Sequence, residues 1–94
     1  MDKKDIVSEL SMRTGHSKRE SEVIIDTVFD IIADALELGR KVKLVDFGIF
    51  EVKERAPRTG RNPKANLPVH IPAKRVPYFT PGKVLKSRVE KSNK

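Results

Sequence analysis

The stretch "RTGRNPKANLPVHIPAKRVPYF", residues 58–79, constrains the fold more than any other part of this 94-residue chain. It holds four prolines, the cations Arg58, Arg61, Lys64, Lys74 and Arg75, and no acid. It lies between a strand expected to end near Lys53 and another expected to begin near Lys74. Such a segment is too basic to bury and too long for an economical loop inside a compact domain. It is therefore either a projecting arm or a disordered segment, and composition alone is compatible with both. Val69 and Ile71 alternate about His70, which gives the returning side strand character, and Asn62-Pro63 is a turn signal near the middle. Pro57, Pro68, Pro72 and Pro77 would break a central strand. A two-stranded ribbon tolerates them, because each of its strands is an edge and a missing N–H can face outward.

Charge separates the two halves of the chain. Residues 1–50 carry 8 Lys/Arg against 10 Asp/Glu, a net of −2, whereas residues 51–94 carry 12 against 3, a net of +9. A positive field concentrated in this way points to a polyanion. Cysteine is absent, which excludes disulfides, thiolate zinc sites and a cysteine nucleophile. The N-terminus, MDKKDIVSEL, has no apolar run long enough for a signal peptide or a membrane span, so a soluble, unprocessed chain is expected.

Periodicity predicts two helices in the first half. Ile6, Val7 and Leu10 repeat at helical spacing, Gly15 punctuates, and Ser17 with Glu20 spells a capping box that opens the second helix, which Gly39 ends. Along that helix Ile24, Ile25, Val28, Phe29, Ile31, Ile32, Ala35 and Leu36 cover an arc wider than one stripe. Either the helix is central to its own small core or it is shared between two subunits. So short a chain has little else to cover it, which favours the second.

After Gly39 the period becomes two. Val42 and Leu44 alternate with Lys41 and Lys43, then Phe50 and Val52 with Glu51 and Lys53, which predicts two short strands joined around Asp46 to Gly48, with Gly48 as the turn residue. Asp46-Phe47-Gly48 spells the kinase metal-binding triplet, but no glycine-rich loop, strand lysine or catalytic loop accompanies it. Thr80-Pro81 reads as an N-cap and first helical residue, opening a last helix with Val84, Leu85 and Val89 on its apolar side. Its cations, Lys83, Lys86, Arg88 and Lys91, face either solvent or phosphate. Phe47, Phe50 and Phe79 are better placed for packing than for stacking on bases. His16 and His70 stand alone, so no metal is expected. No nucleophile and base pairing, paired-carboxylate site or phosphate loop stands out, so an enzyme is not expected, and no cofactor is implied.

Gly60-Arg61-Asn62-Pro63-Lys64, then Ile71-Pro72-Ala73, then Phe79-Thr80-Pro81-Gly82-Lys83, with Phe47-Gly48-Ile49-Phe50 upstream, resemble the bacterial HU and integration host factor family. The resemblance runs essentially from end to end. It implies an α+β fold: an intertwined dimer with a helical body of two N-terminal helices and a short C-terminal helix. A three-stranded antiparallel sheet is extended into a protruding β-ribbon arm. Residues 1–94 are then a single domain, with 1–52 and 76–94 as the dimer body and 53–75 as the DNA-binding arm. The implied partner is double-stranded DNA, entered by the minor groove and bent. The implied contacts are Lys53, Arg55, Arg58, Arg61, Asn62, Lys64, Lys74 and Arg75 on the arm, with Lys3, Lys83 and Lys86 on the body. Pro63 is the implied intercalating wedge, and compact, apolar and fixed in φ it is suited to an opened base step. The implied dimer core comprises Ile25, Val28, Phe29, Ile32, Leu44, Phe47, Phe50 and Phe79. The resemblance also implies the cytoplasm and the nucleoid, and a homodimer with little sequence preference.

The tip departs from the family pattern: Ala65-Asn66-Leu67-Pro68 stand where Thr-Gly-Glu is usual after the residue following proline. Other readings are one half of a heterodimer bending specific sites, as integration host factor does, a basic RNA-binding protein, or a dimerisation module without nucleic acid. A competition between duplex DNA and duplex RNA separates the second from the DNA readings, because A-form RNA presents a wide, shallow minor groove.

Overall fold

The computed structural model describes residues 1–62 and 67–92, and the side chains of all of these except 58–59, 61–62 and 67–71. The chain divides into two compact units, Met1–Ala35 and Leu36–Lys94.

The first unit is helical. Helix α1 (Lys3–Thr14) begins with a reciprocal cap: the Asp5 N–H donates to Asp2 Oδ1 at 3.2 Å and the Asp2 N–H to Asp5 Oδ2 at 2.9 Å. It ends at Gly15, whose φ of 80° lets its N–H reach the Ser11 carbonyl. Helix α2 (Lys18–Glu37) starts as its sequence predicts: the Glu20 N–H donates to Ser17 Oγ at 3.1 Å, and the Ser17 N–H to Glu20 Oε1 at 2.9 Å. The side chains this unit buries are Val7 of α1 and Ser21 and Ile25, one turn apart on α2. Of the rest of α2's apolar arc, Val28 is 46%, Phe29 51% and Ile31 62% exposed, while Ile32, Ala35 and Leu36 are half-buried.

The second unit takes in the end of α2, closed by Gly39 at φ 75°, and then strands β1 (Val42–Leu44), β2 (Gly48–Arg55), β3 (Arg58–Asn62), β4 (Leu67–Ile71) and β5 (Lys74–Pro81), followed by helix α3 (Lys83–Ser92). Strands β1, β2 and β5 form an antiparallel sheet in the order β1-β2-β5, and β3 pairs with β4. The two ladders keep one register. Arg55 faces Lys74 at the end of the first and Arg58 faces Ile71 at the start of the second, leaving residues 56–57 and 72–73 between them. Pro57 therefore falls opposite Pro72, and two facing prolines have no N–H to exchange, which accounts for the interruption. Pro77 and Pro81 sit in β5, an edge strand of this sheet, where a missing donor is tolerated.

Two expectations are corrected. The residue that makes the turn between β1 and β2 is Asp46, at φ 65°, while the Phe47 N–H closes onto the Leu44 carbonyl at 2.9 Å. Asp tolerates the left-handed region better than most residues. Gly48 instead begins β2 and is needed for space: a Cβ there would lie 2.6 Å from two ring carbons of Phe79 and from the Thr80 carbonyl oxygen. The last helix also starts later than Thr80-Pro81. Those two residues pair with Ile49 and Gly48 as the end of β5, because the ladder outcompetes a cap. Gly82 then makes the change of direction, its N–H bonded to the Phe47 carbonyl at 2.8 Å and its carbonyl accepting from the Lys86 N–H at 3.0 Å.

Candidate nucleic-acid interface

Alternation along β2 and β5 sorts the root of the ribbon into two faces. Phe50 and Phe79 are direct cross-strand partners on one of them, with ring centroids 4.7 Å apart, and Phe47 joins at 5.6 Å from Phe79. Tilted rings at these spacings are a favourable aromatic arrangement. The other face carries Lys53, Arg55, Lys74 and Tyr78. Lys53 Nζ lies 3.8 Å from the centroid of the Tyr78 ring, a cation–π contact that holds the ammonium over the sheet. Arg55 and Lys74 face each other as exposed cross-strand partners, and among the described residues neither is in an ion pair. Like charges so placed weaken a ladder unless an anion lies between or above them.

The other sequence-predicted contacts divide into three groups. Arg58, Arg61 and Asn62 have their backbone in β3, which continues the register of the root. Pro63 and Lys64 lie outside the described residues, as do Ala65 and Asn66 of the unusual tip. Lys83 and Lys86 are exposed in the first turn of α3, which has no acid there, so the helix start adds to the local positive potential.

Two predicted contacts already have partners. Lys3 Nζ donates to Asp26 Oδ1 at 3.0 Å and lies 3.7 Å from Glu22 Oε2, and the hydrogen bond to Asp26 raises its pKa above the ordinary 10.5. Arg75 turns its guanidinium to the end of α2, with Nη2 at 3.3 Å from the Glu37 carbonyl oxygen and 3.5 Å from that of Leu36. Neither arrangement, nor the Lys53–Tyr78 contact, could be found from sequence spacing, because each joins residues far apart in the chain. The cap at the start of α1, in contrast, was there to be read as Asp2-x-x-Asp5. His16 Nδ1 lies 3.8 Å from Glu20 Oε1, a local pair at the start of α2. Among the described residues no group of three or more His, Asp or Glu side chains is placed to hold a metal ion.

A basic antiparallel ribbon rooted in a small α+β fold defines a class of protein built to meet an extended polyanion. The family model described as bacterial DNA-binding protein matches residues 1–90. The DNA-binding protein HU of Geobacillus stearothermophilus is 46% identical over 90 residues, covering 96% of this chain and the whole of that protein. DNA-binding protein HU 1 of Bacillus subtilis is 44% identical over 89 residues, covering 95% of this chain and 97% of that one. Among solved structures, the Anabaena HU–DNA cocrystal structure has a TM-score of 0.87 at 38% identity, covering 95% of this chain and 97% of that one. HU from Thermotoga maritima has a TM-score of 0.69 at 32% identity, covering 95% and 98%. The chain belongs to the bacterial DNA-binding protein family.

Proposed function

We propose that this protein is a nucleoid-associated architectural protein of the cytoplasm that binds double-stranded DNA as a homodimer, enters the minor groove with its β-ribbons, and bends or compacts the duplex with little sequence preference. The observation that carries this reading is the ribbon itself, whose root sets Arg55 against Lys74 with no acid between them. A phosphate backbone supplies the missing anions. Relatives that bear the name DNA-binding protein HU, and the likeness to an HU solved with DNA, support it.

In this reading residues 53–75 are the arm and residues 1–52 and 76–94 the body. Lys53, Arg55 and Lys74 hold backbone at the root, Arg58, Arg61, Asn62 and Lys64 reach further into the groove, and Pro63 enters an opened base step. Lys83 and Lys86 hold the flanking DNA once it is bent, and Lys3 joins them by exchanging its acids for phosphate. The chemistry is binding and deformation, with no bond made or broken. The second copy covers Val28 and Phe29 of α2, and the dimer core also takes in Ile25, Ile32, Leu44, Phe47, Phe50 and Phe79. Exposure of so much apolar side chain in the single chain supports this.

The test is to purify the chain alone, measure its mass, and titrate it onto several unrelated duplexes at a series of salt concentrations, with duplex RNA as competitor. The expected result is a dimer that binds all the DNA duplexes alike, with affinity falling steeply with salt and little loss to the RNA. A monomer with a concentration-independent melting temperature overturns the dimer, and binding to one duplex alone overturns the lack of preference. Pro63→Ala, which keeps every charge, isolates the wedge: at saturating protein, energy transfer between the DNA ends should show a smaller bend on intact duplex and little change on nicked or gapped DNA. An unchanged bend on intact DNA would remove Pro63 from the mechanism.

A further inference from the structure

Arg75 stands where the ribbon leaves the sheet. It is the second residue of β5, and the residues just before that strand, Pro72 and Ala73, belong to neither ladder. Its neighbour Lys74 faces Arg55 across the pair, whereas Arg75 faces Glu54 and directs its guanidinium to the end of α2. The carbonyls it meets, Leu36 and Glu37, belong to the last turn, whose acceptors have no partner further along the helix. That last turn contains no basic residue and ends in Glu37, an acid at the negative end of the helix dipole. Gly39 turns the chain just beneath the guanidinium, where a Cβ would come 3.6 Å from Nη2. The Leu36 carbonyl also accepts the Gly39 N–H at 2.9 Å, so one oxygen joins the helix stop to the ribbon root.

We propose that Arg75 is a positioning residue that ties the root of the β-ribbon to the C-terminus of α2, and that it acts on DNA by fixing the aim of the ribbon instead of by touching a phosphate. The proposal rests on the duplex-DNA reading for its consequence, but the tie itself is a property of the free protein. A guanidinium suits the task because its planar fork offers several fixed donors, whereas a lysine offers one compact charge on a mobile stem. Arg55, one pair away and without such an acceptor, is left for phosphate.

The experiment compares wild type, Arg75→Gln, Arg75→Lys and Arg55→Gln in two measurements. Amide hydrogen exchange on the free, full-length protein should show residues 37–40 exchanging about fivefold faster in Arg75→Gln, with a smaller acceleration in Arg75→Lys and none in Arg55→Gln or in α1 of any variant. Salt titrations on one duplex should give Arg75→Gln and Arg75→Lys the wild-type slope, while Arg55→Gln loses about 0.9 from the logarithmic slope. Energy transfer on the same complexes at saturation should show a broader spread of bends in Arg75→Gln and the wild-type spread in Arg55→Gln. Unchanged exchange at residues 37–40 in Arg75→Gln overturns the tie, and a slope reduced as in Arg55→Gln makes Arg75 a phosphate contact. If Arg75→Gln does not fold, exchange at residues 37–40 in Arg75→Lys decides the tie, because lysine keeps the charge that sets the salt slope but not the planar fork. If wild type shows no salt-dependent binding to DNA, the functional reading fails while the exchange result still decides the tie.

Discussion

The helical unit and the sheet unit hold their shapes at different ranges along the chain. In Met1–Ala35 most of the polar contacts join neighbours three or four residues apart, as in the Asp2–Asp5 and Ser17–Glu20 caps, the Gly15 N–H to Ser11, and the Arg13–Glu9 pair at 3.1 Å, with Lys3 on Asp26 the long-range exception. In Leu36–Lys94 they join residues about thirty or more apart: Phe50 with Phe79, Gly48 with the Phe79 ring, Lys53 over Tyr78 at a somewhat shorter separation, and Arg75 on Glu37. The charges differ in the same way. The first unit pairs Lys3 with Asp26 and Glu22 and Arg13 with Glu9, while the second leaves Arg55 and Lys74 facing each other. A local structure survives small losses one turn at a time, whereas a register-built structure is lost together, so substitutions in the sheet unit should cost more.

Phe79→Ala should have the largest effect, because this ring touches both Phe47 and Phe50. A loss of roughly 3–5 kcal/mol is expected, read by denaturant unfolding at fixed protein concentration. A loss no greater than that of a helix cap would break the contrast between the units. Gly48→Ala comes next, at about 1–3 kcal/mol, since the added methyl meets the Phe79 ring and the Thr80 carbonyl oxygen in a place where backbone cannot yield cheaply. Pairing Gly48→Ala with Phe79→Leu should recover part of that loss. No recovery would mean that the Thr80 backbone contact, and not the ring, sets the demand for glycine.

In the helical unit Ser17→Ala should cost about 1 kcal/mol and fray only the first turn of α2. The same cap has a pH dependence of known sign. Hydrogen bonds from the Ser17 amide and then its hydroxyl hold the Glu20 carboxyl below its ordinary 4.5. Its contribution is therefore complete above that ordinary value and is lost as pH falls through the lower folded value. Amide shifts of residues 17–20 should move on acidification in wild type and stay still in Glu20→Gln. The smallest effect, and one of opposite sign, is expected at Ser21. This side chain is 0% exposed and its hydroxyl has no partner among the described residues, so Ser21→Ala should raise stability by about 0.5–1 kcal/mol. A drop in melting temperature would show that the hydroxyl is bonded in solution.

What could be read from the sequence alone follows the same division of ranges. Ser17-x-x-Glu20, Gly15 and Gly39 announced the helix ends because capping is chemistry between near neighbours, and the alternation at 42–44 and 50–52 announced strands because side chains change face at every residue. The basic, proline-rich run at 58–79 left two readings, a projecting ribbon of edge strands or a disordered segment, because either suits so many missing donors and unpaired charges. Tertiary structure alone decided where those elements met. Pairing with β2 carried β5 through Thr80 and Pro81 and delayed the last helix. Gly48 proved necessary because register brings Phe79 against it, while Asp46 took the left-handed turn. Arg75 and Lys53, indistinguishable from Arg55 as cations in a string of letters, were separated by what lay across from them: helix carbonyls, an aromatic face, or another cation. The reason is physical, because the role of a charged side chain is set by the partner within a few ångströms, and that partner is chosen by the fold.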